Sequence, residues 1–357
     1  MNRKITDYLV VVLLIWNLLL SYYLYDATSN KNKIAMDFGQ PTPVQQNITT
    51  FETDFTTVIE NNAPKVVAVI SNGMQSRAAS GVIYQVSDQG VIIVTNHHHI
   101  QNASTVDVYF SNGKTVRAEV VGYDTVSDLA VLRVKPDFDV EAIVLGDSAA
   151  TKIGEWVIAL GKPNNVDLSG SVTAGILSGK ENVQAISTSM NYEVDWQLLF
   201  LQVDILITEG SSGGPLLNVV GELIGINTTQ YHEETGITRS YAIPINEVVP
   251  IVNQILENGK VERPPFSIYG ISVKNIPIYA KENFGVERSL DYGVVLTSMT
   301  NSNIGFRDRD VILEINGEKI DDYRELRKLM YTWRTGDILT VKVQRNGQVS
   351  DIEVVIP

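Results

Sequence analysis

Hydrophobic residues between positions 65 and 245 occur in short runs, many of them alternating with polar residues, and turn-forming residues separate the runs. Many short runs at such spacing, without intervening helical patterns, are typical of β-barrels and β-sandwiches. The predicted strands are Val66–Ile70, Gly81–Val86, Val91–Thr95, Val106–Phe110, Thr115–Val121, Leu129–Val134, Trp156–Leu160, Val172–Leu177, Leu199–Val203, Leu223–Asn227 and Tyr241–Ile243. The pattern therefore predicts a mainly β fold.

A helical spacing of apolar residues follows this β region, and a second, mixed region follows the helix. We predict a helix from Asn246 to Asn258, with Asn246 as its N-cap and Gly259 at its end. A new domain begins near Arg263 and Pro264-Pro265. Its predicted elements are strands at Ile268–Val273, Gly293–Ser298 and Asp310–Asn316, a helix at Asp322–Arg334 and a hairpin turn at Asn346-Gly347.

The N-terminus carries the most hydrophobic stretch. The 18 residues from Tyr8 to Tyr25 bear no charge, and Arg3 and Lys4 precede them. Such a stretch is just long enough to span a bilayer with its N-terminus inside. A cleaved signal peptide needs small residues after the apolar run, whereas tyrosines stand there. We therefore predict that residues 1–26 form a cytoplasmic tip and a transmembrane anchor in the cell membrane, that polar residues 27–50 form a flexible linker, and that the rest lies outside the cytoplasm.

Composition excludes several function classes. The net charge of −13 and the pI of about 4.8 disfavour nucleic acid as a partner. The chain has no cysteine, so disulfides, thiolate catalysis and cysteine-based zinc sites are excluded. We expect no cofactor and no metal.

The candidate chemistry lies in a glycine-rich segment from Glu209 to Leu216. Ser212 stands among glycines, which permit the tight turn that a nucleophilic serine needs. The backbone amides of Gly210 and Ser212 are spaced to converge on a developing oxyanion. A serine nucleophile also needs a histidine base and an acid to orient it. An ordinary glycine-rich turn in a β protein is the alternative interpretation.

Four segments carry a resemblance to the HtrA (Deg) family, which consists of trypsin-like serine proteases with PDZ domains. Val94–Ile100 (VTNHHHI) is similar to the family's TNNHVI motif, and Gly122–Leu132 (GYDTVSDLAVL) to its GxDxxxDLAVL motif. Gln202–Asp204 and Gly210–Leu216 (GSSGGPL) resemble its QTD and GNSGGPL motifs. The resemblance implies a chymotrypsin-like double β-barrel at residues 51–260 and a PDZ domain at 261–357.

The same resemblance implies residue roles. His98 would be the general base, Asp128 the residue that orients it and Ser212 the nucleophile, with the Gly210 and Ser212 amides as the oxyanion hole. In the second domain, Ile268-Tyr269-Gly270-Ile271 resembles the loop with which a PDZ domain binds the carboxylate of a C-terminal peptide. A small domain that only packs on the protease is the alternative.

The remaining histidines and aromatic residues permit two interpretations each. On a strand, His97 and His99 would point away from His98, and we interpret them as surface side chains, or as neighbours of the site without chemistry of their own, rather than as metal ligands. His232 is interpreted as an exposed loop residue. Phe51 and Phe55 resemble aromatic residues that help to build a trimer in the family, and capping of the first barrel is the alternative.

The resemblance implies substrates that are misfolded or unfolded exported proteins, as in protein quality control and stress response. A protease with one narrow substrate is a first alternative. A second is an inactive protease fold that serves as a peptide-binding or chaperone-like scaffold, because Glu209 places a negative charge near the oxyanion site.

Overall fold

The structure is a computed structural model that describes residues 3–31, 48–73, 76–162, 170–186, 196–207, 210–232, 237–263, 268–299 and 304–357. The chain divides into two compact units, Met1–Glu52 and Thr53–Pro357. Both regions predicted as protease and PDZ domain fall in the second unit, except that Phe51 and Glu52 belong to the first. The residue limits that we assigned to these domains stay predictions.

Helices dominate the N-terminal part. Helix α1 spans Arg3–Lys31, and helix α2 spans Ile48–Asn62. The linker predicted at 27–50 is therefore helical at both ends, since residues 27–31 contain no proline or glycine that would stop α1. In the described part of the chain, no helix combines the length and the apolar character that crossing a bilayer requires, so the predicted membrane anchor is not supported.

The first six strands form a closed barrel in the order β1-β2-β3-β6-β5-β4. Their bounds are β1 Val66–Asn72, β2 Arg77–Ser87, β3 Gly90–Asn96, β4 Thr105–Tyr109, β5 Thr115–Asp124 and β6 Leu129–Val134, with the one-turn helix α3 at His97–Ile100. Alternate residues point to opposite faces of a strand. In β1, Val67 and Val69 accordingly fill the barrel interior, while Val66 joins a separate core cluster.

The next six strands form a second closed barrel in the order β10-β11-β12-β9-β8-β7. Their bounds are β7 Trp156–Gly161, β8 Ser171–Ile186, β9 Trp196–Val203, β10 Pro215–Asn218, β11 Leu223–His232 and β12 Ile237–Pro244. The predicted double β-barrel is therefore confirmed. His232 is the last residue of β11, so its assignment to a loop was wrong.

Helix α4 at Ile245–Asn258 follows the second barrel. It ends at Gly259 with φ +73°, as the sequence predicts. Its start differs from the prediction, because Pro244 occupies the N-cap position. The Asn246 side chain instead accepts hydrogen bonds from the amide and hydroxyl of Ser148 at 3.1 and 2.9 Å, and so joins α4 to the loop before β7.

A third sheet has the order β13-β14-β15-β17-β18, and the short β16 pairs with β15. The bounds are β13 Ile268–Ser272, β14 Val294–Met299, β15 Val311–Ile315, β16 Glu318–Lys319, β17 Ile338–Arg345 and β18 Gln348–Val355, with helix α5 at Tyr323–Met330. Asp322 caps α5 by accepting from the amides of Arg324 and Glu325. The helix ends four residues before the predicted Arg334. Asn346 and Gly347 form the predicted turn with φ values of 52° and 80°.

Candidate active site

Three neighbouring elements carry the predicted catalytic residues. His98 lies in α3, directly after β3, and Asp128 lies in the turn between β5 and β6. Ser212 belongs to the turn before β10, in the second barrel. This turn is seated on the first barrel, because the Ser80 amide in β2 donates to the Ser212 carbonyl at 3.1 Å. Gly213 has φ +83°, and an added Cβ would lie 2.3 Å from the Ser80 carbonyl oxygen, so only glycine fits.

The structure brings His98 and Asp128 together. His98 Nδ1 lies 2.6 Å from Asp128 Oδ2, and the His98 amide donates to Asp128 Oδ1 at 2.9 Å. A carboxylate can only accept at this contact, so Nδ1 carries the proton and Nε2 keeps its lone pair. The His98 side chain remains 46% exposed. This is the arrangement that a histidine base requires.

The turn that carries Asp128 has an unusual backbone. Asp128 has φ +57°, a left-handed conformation that costs energy for a residue with a Cβ. Its carbonyl accepts from the His97 amide at 2.9 Å and from Asn96 Nδ2 at 3.0 Å. These two bonds attach the Asp128 turn to the end of β3 and so hold the carboxylate beside His98.

The side-chain hydrogen bond of Ser212 is to Asn96 and not to His98. Its hydroxyl donates to Asn96 Oδ1 at 2.8 Å, and both residues are buried. No hydrogen bond between Ser212 and His98 is found among the described residues. Asn96 was missed as a site residue in the sequence analysis. The available signal was its place in the histidine motif, two residues before His98.

The candidate oxyanion donors are the backbone amides of Gly210 and Ser212. Among the described residues, the Gly210 and Ser212 amides make no hydrogen bond, whereas the next amide, that of Gly213, donates to the Asn227 carbonyl at 2.9 Å. The Gly210 carbonyl accepts from Ser80 Oγ at 2.5 Å, and this hydroxyl accepts from the Lys162 amide at 2.7 Å. These two hydrogen bonds hold the turn through the Gly210 carbonyl rather than through the Gly210 amide. Glu209 lies outside the described residues.

His97 and His99 are not exposed surface side chains, which leaves the other interpretation, that they border the site without chemistry of their own. They lie on helix α3 rather than on a strand, so the alternation argument does not apply. His97 is buried and its ring stacks on Tyr123 at a centroid distance of 4.4 Å. The His99 ring lies 3.9 Å from the His98 ring, and burial lowers the pKa of His99 to about 4. His99 is therefore neutral near pH 7. Within the ranges that the structure describes, no cluster of His, Asp or Glu residues is arranged to hold a metal.

The predicted carboxylate-binding loop lies at one edge of the third sheet. Ile268, Tyr269 and Gly270 are buried, and Ile271 is exposed. Strand β13 pairs only with β14, so its other edge is open in the described sheet. Tyr323, the first residue of α5, donates its hydroxyl to the Ile268 carbonyl at 2.9 Å. This bond fixes the distance between α5 and β13.

Comparisons with known proteins agree with this architecture. The chain matches the trypsin-like peptidase domain over residues 79–226 and the PDZ domain over residues 271–356. A serine protease Do-like HtrA of Lactobacillus helveticus is 35% identical over 283 residues, which are 77% of this chain and 67% of the relative. A protein of the same name from Bacillus subtilis (strain 168) is 35% identical over 285 residues, 78% of this chain and 63% of the relative. The chain spans about two thirds of the length of these relatives.

Solved structures show the same likeness. The HtrA-type protease AlgW with tripeptide superposes with a TM-score of 0.58 and 27% identity, over 84% of this chain and 96% of that chain. The serine endoprotease from Yersinia pestis gives a TM-score of 0.52 and 28% identity over the same shares of the two chains.

Proposed function

Because this chain belongs to the HtrA family of serine endopeptidases that carry a PDZ domain, we propose that Ser212, His98 and Asp128 are its catalytic triad. The observation that carries the proposal is the 2.6 Å contact between His98 Nδ1 and Asp128 Oδ2, beside a serine turn held against the same barrel. The proposed substrates are unfolded or misfolded exported proteins, as in protein quality control.

The proposed mechanism begins with a rotation of the nucleophile. Ser212 Oγ leaves Asn96 Oδ1, turns toward His98 Nε2 and attacks the scissile carbonyl while His98 takes its proton. The Gly210 and Ser212 amides stabilise the oxyanion, a contribution of about a hundredfold or more for each donor. His98 then gives the proton to the leaving amine. A water molecule, deprotonated by His98, hydrolyses the acyl-enzyme and restores Ser212.

The second proposed activity is the binding of peptide C-termini to the PDZ domain. A peptide would add as a strand to the open edge of β13, alongside α5, with its carboxylate near the start of β13 at Ile268–Ile271. Binding there would regulate cleavage. A titration with apolar C-terminal peptides tests this proposal, because saturable binding supports it and no binding supports a domain that only packs on the protease.

The decisive test of the protease proposal compares the full chain with Ser212→Ala in degradation of an unfolded model protein. We expect cleavage by the wild type and none by the variant, which lacks only one buried hydroxyl and should fold equally well. His98→Gln provides a second, independent loss. Cleavage by all three proteins would refute the assignment.

One observation favours a second candidate, an inactive scaffold that binds peptides. The Ser212 hydroxyl is engaged by Asn96 rather than by His98. A fluorophosphonate reacts only with an activated serine, so it separates the two candidates even if the chosen substrate is a poor one. Labelling at Ser212 supports the protease. Absence of labelling, with C-terminal peptide added to relieve inhibition, supports the scaffold.

A homotrimer is also proposed, on the family resemblance of Phe51 and Phe55. The Phe55 ring meets the Trp156 ring edge-on at 5.9 Å, so it packs on the start of β7 in the second barrel. The Phe51 side chain lies outside the described residues. Sedimentation of the chain as a monomer would remove this proposal.

A further inference from the structure

Asp124 is the most heavily hydrogen-bonded carboxylate near the candidate site. It ends β5 and precedes the Asp128 turn. Arg263 binds it in a bidentate way, with Nη1 at 2.7 Å from Oδ1 and Nη2 at 2.5 Å from Oδ2. The Ser127 amide and hydroxyl also donate to Oδ2, at 2.9 and 2.5 Å. All three side chains are shielded from solvent.

These bonds close the turn that presents Asp128. Ser127 is fully buried and directly precedes Asp128, whose φ of +57° must be maintained by its surroundings. Asp124 accepts hydrogen bonds from two atoms of Ser127. The Asp124 carboxylate keeps its orientation only while Arg263 is bonded to both of its oxygens. The direction of the Asp128 carboxylate toward His98 therefore depends on a contact four residues away along the chain.

Arg263 itself belongs to the segment that leads from α4 to the third sheet. The end of α4 packs closely on β5, since a Cβ on Gly122 would lie 2.3 Å from the Gly259 carbonyl oxygen. The Arg263 guanidinium also lies 5.9 Å from the centre of the Tyr331 ring, at the end of α5. Tyr331 in turn donates to Glu247 of α4 at 2.6 Å. Arg263 thus contacts Asp124, just before the Asp128 turn, and Tyr331, at the end of α5.

We propose that Arg263 is a positioning residue for Asp128, acting through Asp124 and Ser127, and that the docking of α5 at Tyr331 keeps it in place. The inference rests on the proposed triad and names a route by which the PDZ domain regulates it. Burial by itself would raise the pKa of Asp124, but the hydrogen bonds and charge of Arg263, followed by the bonds of Ser127, outweigh burial and lower it. Asp124 is therefore ionised although it is buried, and loss of Arg263 would leave its charge without a bonded cation.

The test replaces Arg263 with methionine in the full chain, which keeps an unbranched apolar stem but removes the guanidinium and its charge. We expect kcat for a short peptide substrate to fall about ten- to hundredfold, because a small displacement of an orienting group is enough for such a loss. KM should stay unchanged, since Arg263 does not touch substrate. Arg263→Lys, which retains the charge but not the bidentate fork, should recover part of kcat.

The matched control is Arg345→Met. Arg345, at the end of β17, also binds a buried carboxylate in a bidentate way: its Nε and Nη2 each lie 2.7 Å from an oxygen of Asp310, directly before β15. We expect it to lower the melting temperature comparably while kcat stays unchanged. If Arg263→Met behaves like this control, Arg263 is only structural and the proposal is overturned.

A second readout does not depend on activity. The His98 Nδ1 proton in the contact with Asp128 gives a low-field proton resonance, which can be recorded even in Ser212→Ala. We expect Arg263→Met to shift or remove this resonance and Arg345→Met to leave it. Persistence of the wild-type resonance in Arg263→Met overturns the inference. A different result would refute the proposed function but not this inference. In that case the wild type cleaves no substrate, yet Arg263→Met still removes the resonance.

Discussion

The buried ion pair between α4 and α5 provides a quantitative test of the interface between the barrels and the third sheet. Arg327 donates from Nε and Nη2 to the two oxygens of Glu247, both at 2.9 Å, and Tyr331 donates to the same carboxylate at 2.6 Å. Arg327 and Glu247 are both buried. The perturbation is Arg327→Met, which leaves the Glu247 carboxylate without a cation.

The expected loss of folding free energy follows from the protonation of Glu247 in the absence of Arg327. Burial alone would raise its pKa, and the charge and hydrogen bonds of Arg327, with one from Tyr331, outweigh burial and lower it in the wild type. Without Arg327, the carboxyl would take up a proton on folding. Starting from an ordinary pKa of 4.5, this costs about 3.4 kcal/mol at pH 7, by the conversion of 1.36 kcal/mol per unit. Removal of one partner of a buried pair typically costs about 3 to 5 kcal/mol, in agreement.

The sign of the pH dependence makes the test specific. The lowered pKa of Glu247 in the wild type gives stability that is present above the unfolded-state pKa and is lost as pH falls through the folded-state pKa. In Arg327→Met the folded-state pKa is raised instead, so the penalty is greatest at neutral pH. The difference between the two proteins should shrink from about 3 kcal/mol near pH 7 to below about 1 kcal/mol near pH 5.

The assay is urea denaturation followed by circular dichroism at both pH values. The double variant Glu247→Gln with Arg327→Met is the control, because it removes both charges and should be more stable than the single variant at pH 7. A destabilisation of Arg327→Met that is equal at both pH values would refute the reasoning. So would a double variant that is as unstable as the single one.

Two further predictions concern the candidate site. Gly214→Ala should reduce cleavage at least about tenfold, because its Cβ would lie 2.2 Å from the Leu160 carbonyl oxygen and would displace the turn after Ser212. Measurement of kcat together with the melting temperature tests this prediction. A variant with the kcat of the wild type would contradict it. His99→Val should reduce the loss of folding stability at low pH. Burial lowers the pKa of His99 from 6.5 to about 4, so the wild type should lose about 2 to 3 kcal/mol relative to the variant between these pH values. Parallel loss of stability in both proteins during an acid titration would contradict that expectation.

Local signals in the sequence predicted local structure well. Short apolar runs located every strand of the two barrels except β10, Gly259 marked the end of α4 and Asn346-Gly347 marked the hairpin, because each depends on backbone preferences of adjacent residues. The start of α4 was predicted wrongly because Asn246 finds its partner in Ser148, 98 residues away. The membrane anchor was predicted from a run of uncharged residues, and the described helices do not support it.

The order of the histidine, aspartate and serine motifs, and with them the family, was determined by the sequence alone. Which side chains meet was decided only by the closure of the barrels. Asn96 holds Ser212 across 116 residues, and Arg263 holds Asp124 across 139. His97 became buried and His99 partly buried because both lie on α3 rather than on a strand. Such contacts depend on how strands far apart in the chain close into barrels and on how the third sheet packs beside them, and no short stretch of sequence contains that information.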